Sequence, residues 1–125
     1  MEECKACELD WDQLLGDGEG KRAHRSAPLS QGASPYWHAG ARVLRNAQGV
    51  QEAVLILQGP DGIPQRLKSL EQGLVNQSLS NVDALMDASR DVLMDVCRDD
   101  EWGSAAVKAY MGAWLCAHVV GRCMA

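Results

Sequence analysis

The chain has 125 residues, of which 46% are hydrophobic and 23% charged, and its formal net charge is -5. This length predicts one domain with its own core, and the negative charge argues against a nucleic-acid partner, which usually requires a basic face. Five cysteines, an odd number, indicate free thiols in a reducing compartment. No run reaches the roughly 20 apolar residues of a membrane helix, and the first residues lack the apolar run of a signal peptide. We therefore expect a cytoplasmic protein without a membrane anchor.

The first 33 residues are predicted to form a short helix followed by a flexible segment. Residues 8–15, ELDWDQLL, contain the apolar side chains for such a helix. The residues after them are rich in Gly, Ser, Pro and charge, which is typical of a loop or linker. We therefore expect the folded domain to span residues 34–125.

A long helix is predicted over residues 34–58. Ser34 followed by Pro35 is a typical helix start, with a capping side chain and then a proline. Gly49 interrupts the helix at a cost of about 1 kcal/mol relative to alanine, and the turn residues of QGPDGIP end it. The apolar residues that recur at near-helical spacing are Trp37, Ala41, Leu44, Ala47, Val54 and Leu57.

Three further helices are predicted in the rest of the chain. The spacing of Leu67, Leu70 and Leu74 indicates a short helix. Residues 80–97 carry an apolar stripe, preceded by a capping signal from Ser80 and Asp83. The final segment, WGSAAVKAYMGAWLCAHVVGRCMA, is apolar or small nearly all round, which is typical of a central helix covered by other helices or by a second copy of the chain. No alternating strand pattern stands out, so the predicted fold class is all-α.

The tail also resembles a known family. The segment DVLMDVCRDDEWGSAAVKAYMGAWLCAHVVGRCM is similar to the first homology region of the Bcl-2 family of apoptosis regulators. Upstream, ARVLRNAQGVQEA is similar to the family's third homology motif at Leu44 and Arg45. The positions that match the first region are Val92, Val96, Arg98, Asp99, Trp102, Gly103, Gly112, Leu115, Cys116, Val120, Arg122 and Met124.

This resemblance implies a Bcl-2-like helical bundle of the compact viral type that ends after the family's fifth helix. It implies an inhibitor of apoptosis, acting in the host cytosol, whose hydrophobic groove holds the amphipathic helix of pro-apoptotic proteins such as Bim. Ser104 replaces the family's groove arginine, so Arg98 or Lys108 is expected to pair with the aspartate of the ligand. The groove residues implied by the resemblance are Leu44, Val54, Leu85, Val92, Leu93, Val96, Trp102, Gly103 and Val107.

An open apolar groove also predicts a homodimer that competes with the ligand. Two alternatives stay open: a helical homo-oligomeric scaffold whose terminal helix is the subunit interface, and a pro-apoptotic member of the same family. We expect no enzyme, because no nucleophile, base and orienting group converge in the sequence. Neither a cofactor nor a metal is expected, since Cys4 and Cys7 would supply only half of a zinc site.

Overall fold

The structure, a computed structural model, describes residues 10–29, 35–79 and 81–124. It is a mixed α/β fold in which one antiparallel sheet, in the strand order β1-β2-β3-β4, carries helices on its faces. The predicted all-α fold is therefore wrong. The elements are α1 (Trp11–Leu15), β1 (Lys21–Ala27), β2 (Trp37–Asn46), β3 (Gly49–Gln58), β4 (Gln65–Arg66), α2 (Lys68–Val75), α3 (Val82–Met94) and α4 (Ala105–Met124).

The long helix predicted over residues 34–58 is a β-hairpin. β2 and β3 pair antiparallel from His38 opposite Gln58 to Asn46 opposite Gly49. Gly49 has a φ of +123°, so the residue interpreted as a mid-helix interruption is part of the hairpin turn, where a positive φ favours glycine. Ser34, the predicted cap of that helix, lies outside the described residues.

The strands were missed because the hairpin is buried on both faces. One face of β3 packs into the main core through Ala53, Leu55 and Leu57, and the other through Val54 and Ile56. A strand covered on both faces becomes a continuous apolar run without the alternation of a half-exposed strand.

The segment predicted as a flexible loop after residue 15 contains β1. This strand pairs antiparallel with β2 along its whole length, from Lys21 opposite Val43 to Ala27 opposite Trp37. Its sequence, KRAHRSA, is mostly exposed, so no apolar pattern marked it as a strand. The boundary placed after residue 33 stays a prediction, although β1 joins residues on both sides of it into one sheet.

The shorter helices agree better with the sequence. α2 contains Leu70 and Leu74, both buried, and α3 contains the predicted apolar stripe. The α3 cap is Asn81, whose side chain accepts a hydrogen bond from the Ala84 N–H at 2.8 Å, whereas Ser80 lies outside the described residues. In the part of the chain that the structure describes, no helix has the length and hydropathy needed to cross a bilayer.

The terminal helix α4 is central, as predicted, but the sheet covers it. Ala109, Ala113 and Leu115 have 0% exposure, and the helix packs against β1 and β2 on one side and α3 on another. The sheet and α3 therefore bury much of this apolar helix.

Candidate functional site

A cavity at one end of the sheet combines apolar, aromatic and charged side chains. It has a volume of about 350 Å³ and opens between the β3–β4 connection, the end of α3 and the start of α4. We call it the end pocket. Its lining residues are Tyr36, Trp37, Leu57, Gly59, Pro60, Asp61, Ile63, Gln65, Leu67, Val92, Leu93, Val96, Cys97, Arg98, Asp100 and Lys108.

Lys108 is the most deeply buried charged group of this pocket, with 2% exposure. Its ammonium group donates to the Asp100 carboxylate at 2.6 Å and to the Arg98 carbonyl at 2.7 Å. Desolvation by itself would lower the pKa of Lys108, but the bond to Asp100 and the nearby acidic groups outweigh it, so the pKa is raised. Lys108 therefore stays protonated, and acts as a fixed positive charge and hydrogen-bond donor instead of a base.

The connection between α3 and α4 holds Asp100 in position. Its carboxylate accepts from the Trp102 N–H at 2.8 Å, and its backbone exchanges two hydrogen bonds with Gly103, whose φ is +149°. The pKa of Asp100 is lowered, mainly by the hydrogen bond from Lys108 and next by that from the Trp102 N–H. At the start of α4, Ser104 Oγ accepts from the Val107 N–H at 3.1 Å.

Tyr36 and Cys97 also line the end pocket and can ionise. The Tyr36 ring lies 5.8 Å from the Lys108 ammonium group and meets Trp37 edge-on. Desolvation raises the pKa of Tyr36, although Lys108 opposes it, and desolvation likewise raises the pKa of the Cys97 thiol. Both groups are therefore neutral near pH 7 and serve as wall or hydrogen-bonding groups instead of nucleophiles.

The structure brings together five of the residues predicted from the sequence: Val92, Leu93, Val96, Arg98 and Lys108 all line the end pocket. Their role as ligand contacts stays a prediction. Lys108, one of the two predicted cations, is paired with Asp100. Arg98 donates to the carbonyls of Asp95 and Cys97.

The other predicted residues lie elsewhere. Leu44 pairs with Glu52 at the far end of the hairpin, and Val54 packs under α1 with Leu15 and Ile56 on the opposite face of the sheet. Leu85 is in the main core. The remaining three surround the α3–α4 connection: Trp102 is 67% exposed, Val107 is 45% exposed and Gly103 forms the turn.

Sequence reasoning missed the half of the end pocket that comes from the sheet. Tyr36 immediately precedes β2 and Trp37 begins it, while Gly59 and Pro60 follow β3. The signal that was present, the turn residues of QGPDGIP, was interpreted only as the end of a helix. A hairpin interpretation would have placed this turn beside Trp37, because the two strands run antiparallel.

Comparison with known proteins identifies the fold but no family. No family model matches the sequence, and a search of the curated proteins finds no match. Solved structures, in contrast, share the fold over most of this chain. The chain is an α/β unit that corresponds to part of a longer, known chain.

Carbon monoxide dehydrogenases are among the similar structures. The Cu,Mo-containing enzyme in its cyanide-inactivated form has a TM-score of 0.62 and 16% identity, covering 82% of this chain and 36% of that chain. The enzyme from Hydrogenophaga pseudoflava that lacks the Mo-pyranopterin moiety has a TM-score of 0.63 and 15% identity, with the same coverage. Reconstituted CO dehydrogenase from Oligotropha carboxidovorans gives 0.62 and 16%. This chain thus spans about a third of the length of those chains, and the likeness concerns the fold.

These findings correct the resemblance to the Bcl-2 family, which is wrong. The matching tail is an acidic tight turn, built by Asp100 and Gly103, that precedes an apolar core helix. Such a turn and helix recur for local physical reasons in unrelated folds. The predicted anti-apoptotic function, the viral assignment and the capture of proteins such as Bim do not hold, and neither the pro-apoptotic nor the helical scaffold alternative is supported. The homodimer is untested and stays a prediction.

Proposed function

We propose that this protein is a ligand-binding module of an oxidoreductase assembly of the CO dehydrogenase type, and that the end pocket is its ligand site. The fold supports this proposal, since it forms about a third of a longer chain in those enzymes. A unit of this kind works with other domains or subunits. We keep the expectation from the sequence that the chain is not itself a catalyst.

The end pocket is the observation that carries the proposal. Ligand sites are usually concave, mainly apolar and of roughly 300–1,000 Å³, with a few polar groups that orient the ligand. The pocket has this volume and an apolar wall formed by Leu57, Ile63 and Val96, with Trp37 beside them. The buried ion pair of Lys108 and Asp100 contributes polar groups that the protein has already oriented.

The chemistry of the walls favours a flat, ring-shaped ligand with a polar edge. Aromatic and aliphatic side chains contact the faces of a ring, while Asp61 and Gln65, which also line the pocket, offer a carboxylate and an amide to the N–H and carbonyl groups of a ring. Redox cofactors of the flavin and nicotinamide classes have this shape, as does the pyranopterin named for one of the similar enzymes.

The proposed location is the cytoplasm. Cys97, Cys116 and Cys123 are free thiols buried in the fold. Thiols of this kind persist in a reducing compartment.

The proposal is tested with the purified chain and a panel of rings that carry no phosphate: riboflavin, pterin and nicotinamide. Calorimetry measures the affinity, and the NMR signal of the Trp37 indole N–H reports the place of binding. This N–H donates to the Lys108 carbonyl at 2.9 Å in the pocket wall. We expect at least one ring to bind and to shift this signal.

A matched pair of variants tests the location. Val96 lines the pocket and is 63% exposed, whereas Val82, at the start of α3, is 61% exposed and does not line it. Val96→Glu should weaken ring binding by at least about tenfold, because it places a charge against an apolar ligand, and Val82→Glu should not. Absence of binding by the folded wild-type chain, or equal effects of the two substitutions, would refute the proposal.

A further inference from the structure

A second group of residues, separate from the end pocket, lies where β1 packs against α4. Arg25 of β1 places its guanidinium carbon 5.4 Å from the centre of the Trp114 ring. The Trp114 ring stacks on His118, with ring centres 5.1 Å apart and an angle of 17° between the planes. Arg25 Nη1 lies 2.9 Å from His118 Nε2. We call Arg25, Trp114, His118 and the nearby Arg122 the cationic cluster.

The protonation of this cluster follows from its contacts. The pKa of His118 is lowered, mainly by desolvation and further by the charges of Arg25 and Arg122. The imidazole is therefore neutral near pH 7. Since a guanidinium can only donate, Arg25 donates the hydrogen bond and His118 Nε2 accepts it.

Within the part of the chain that the structure describes, no acidic side chain neutralises the arginines of the cationic cluster. Among residues 10–29, 35–79 and 81–124, neither Arg25 nor Arg122 lies within ion-pair distance of a carboxylate. In contrast, Arg42, Arg66 and Arg90 each have such a partner. This is notable in a chain whose formal net charge is -5, because two guanidinium charges that both act on His118 raise the local potential and attract anions.

A cavity adjoins the cationic cluster and could hold a small ligand. It has a volume of about 270 Å³ and shares Arg25 and Trp114 with the cluster. Its remaining wall is largely apolar and includes Pro28, Leu29 and Met111. A guanidinium group at the side of an apolar and aromatic cavity provides contacts for an oxyanion and for a ring in the same ligand.

We infer that the cationic cluster binds a flat ring that carries a phosphate group, that is, a nucleotide-like small molecule. The phosphate oxygens accept hydrogen bonds from Arg25 and are further attracted by Arg122, while the ring packs against Trp114 and Met111. The planar fork of arginine matches phosphate oxygens in a bidentate arrangement. Binding involves no covalent step. This site is independent of the end pocket and does not rest on the function proposed for it.

The experiment compares three probes by calorimetry on the full chain: AMP, adenosine and inorganic phosphate. We expect AMP to bind at least about tenfold more tightly than either fragment, because only AMP makes the charge-assisted and the ring contacts together. Equal affinities of AMP and adenosine would overturn the phosphate contact, and equal affinities of AMP and phosphate would overturn the ring contact. Lack of AMP binding by the folded chain would overturn the whole inference.

Two further readouts locate the site. Arg25→Gln should weaken AMP binding by about tenfold or more, whereas Arg90→Gln, which removes an exposed arginine of α3, should leave it unchanged. NMR titration of the histidine rings should show the pKa of His118 rising when AMP binds, because the phosphate offsets the two arginine charges that lower it. AMP binding that both substitutions weaken equally, or that leaves His118 unaffected, contradicts the assignment. Neither result bears on ring binding at the end pocket.

Discussion

Gly112 of α4 lies close to both α3 and β2, and its substitution by alanine tests the packing of the core. A Cβ atom at this position would lie 2.7 Å from Leu93 Cδ1 and 3.2 Å from Trp37 Cε2. Leu93 belongs to α3 and Trp37 to β2, so both would have to shift. Gly121, on the same helix, has no atom within 4 Å of the equivalent position, which makes Gly121→Ala a matched control.

The two substitutions should have opposite signs. Overpacking a core costs typically about 1–3 kcal/mol, and we take the upper half of this range because the indole ring is rigid. Replacing glycine by alanine in a helix returns up to about 1 kcal/mol, so Gly112→Ala should destabilise the fold by about 1–2 kcal/mol. Gly121→Ala should stabilise it by about 0.5–1 kcal/mol.

Urea unfolding followed by circular dichroism measures both effects on the free energy of unfolding. A Gly112→Ala variant that is as stable as the wild type would show that α4 does not pack closely between α3 and β2. A Gly121→Ala variant that is destabilised would show that this position is not open.

Three further predictions concern buried polar groups. Burial lowers the pKa of His38 below its ordinary value of 6.5, so on acidification the unfolded chain binds a proton more readily than the folded chain. The free energy of unfolding should therefore fall as the pH drops below about 6.5. His38→Gln should reduce this dependence of the free energy of unfolding on pH, as measured by urea titrations between pH 7 and 5. Glu71 is 6% exposed and accepts from the Leu55 N–H at 2.8 Å. Glu71→Ala should therefore destabilise the fold by about 1–3 kcal/mol, because it leaves a buried donor unpaired. As a control, Asp87→Ala removes an exposed ion pair and should cost less than about 1 kcal/mol. Equal losses of stability in the two variants would contradict this role of Glu71. Burial raises the pKa of Cys116 to about 12, so at pH 8 this thiol should resist alkylation in native buffer and react in urea, as mass spectrometry of the labelled peptide can show.

The local signals in the sequence predicted the helices well. α2, α3 and α4 each have a periodic apolar pattern, and their bounds lie within a few residues of the prediction. Helices are stabilised largely by contacts between residues three and four apart, which is why one sequence suffices to find them. The same local character misled the comparison with the Bcl-2 family, because a tight turn followed by an apolar helix says little about what surrounds it.

The strands and the end pocket depended on contacts between distant parts of the chain. β2 and β3 lost the alternation that marks a strand because α1 covers the face that usually meets solvent. The end pocket joins Tyr36 to Lys108, which lies far along the chain from it, across a sheet that the sequence did not predict. The helices were predicted and the strands were not for one physical reason. Helical periodicity is set by neighbours in sequence, whereas strand pairing, and the cavities that a sheet forms with its helices, are set by partners that only the folded chain brings together.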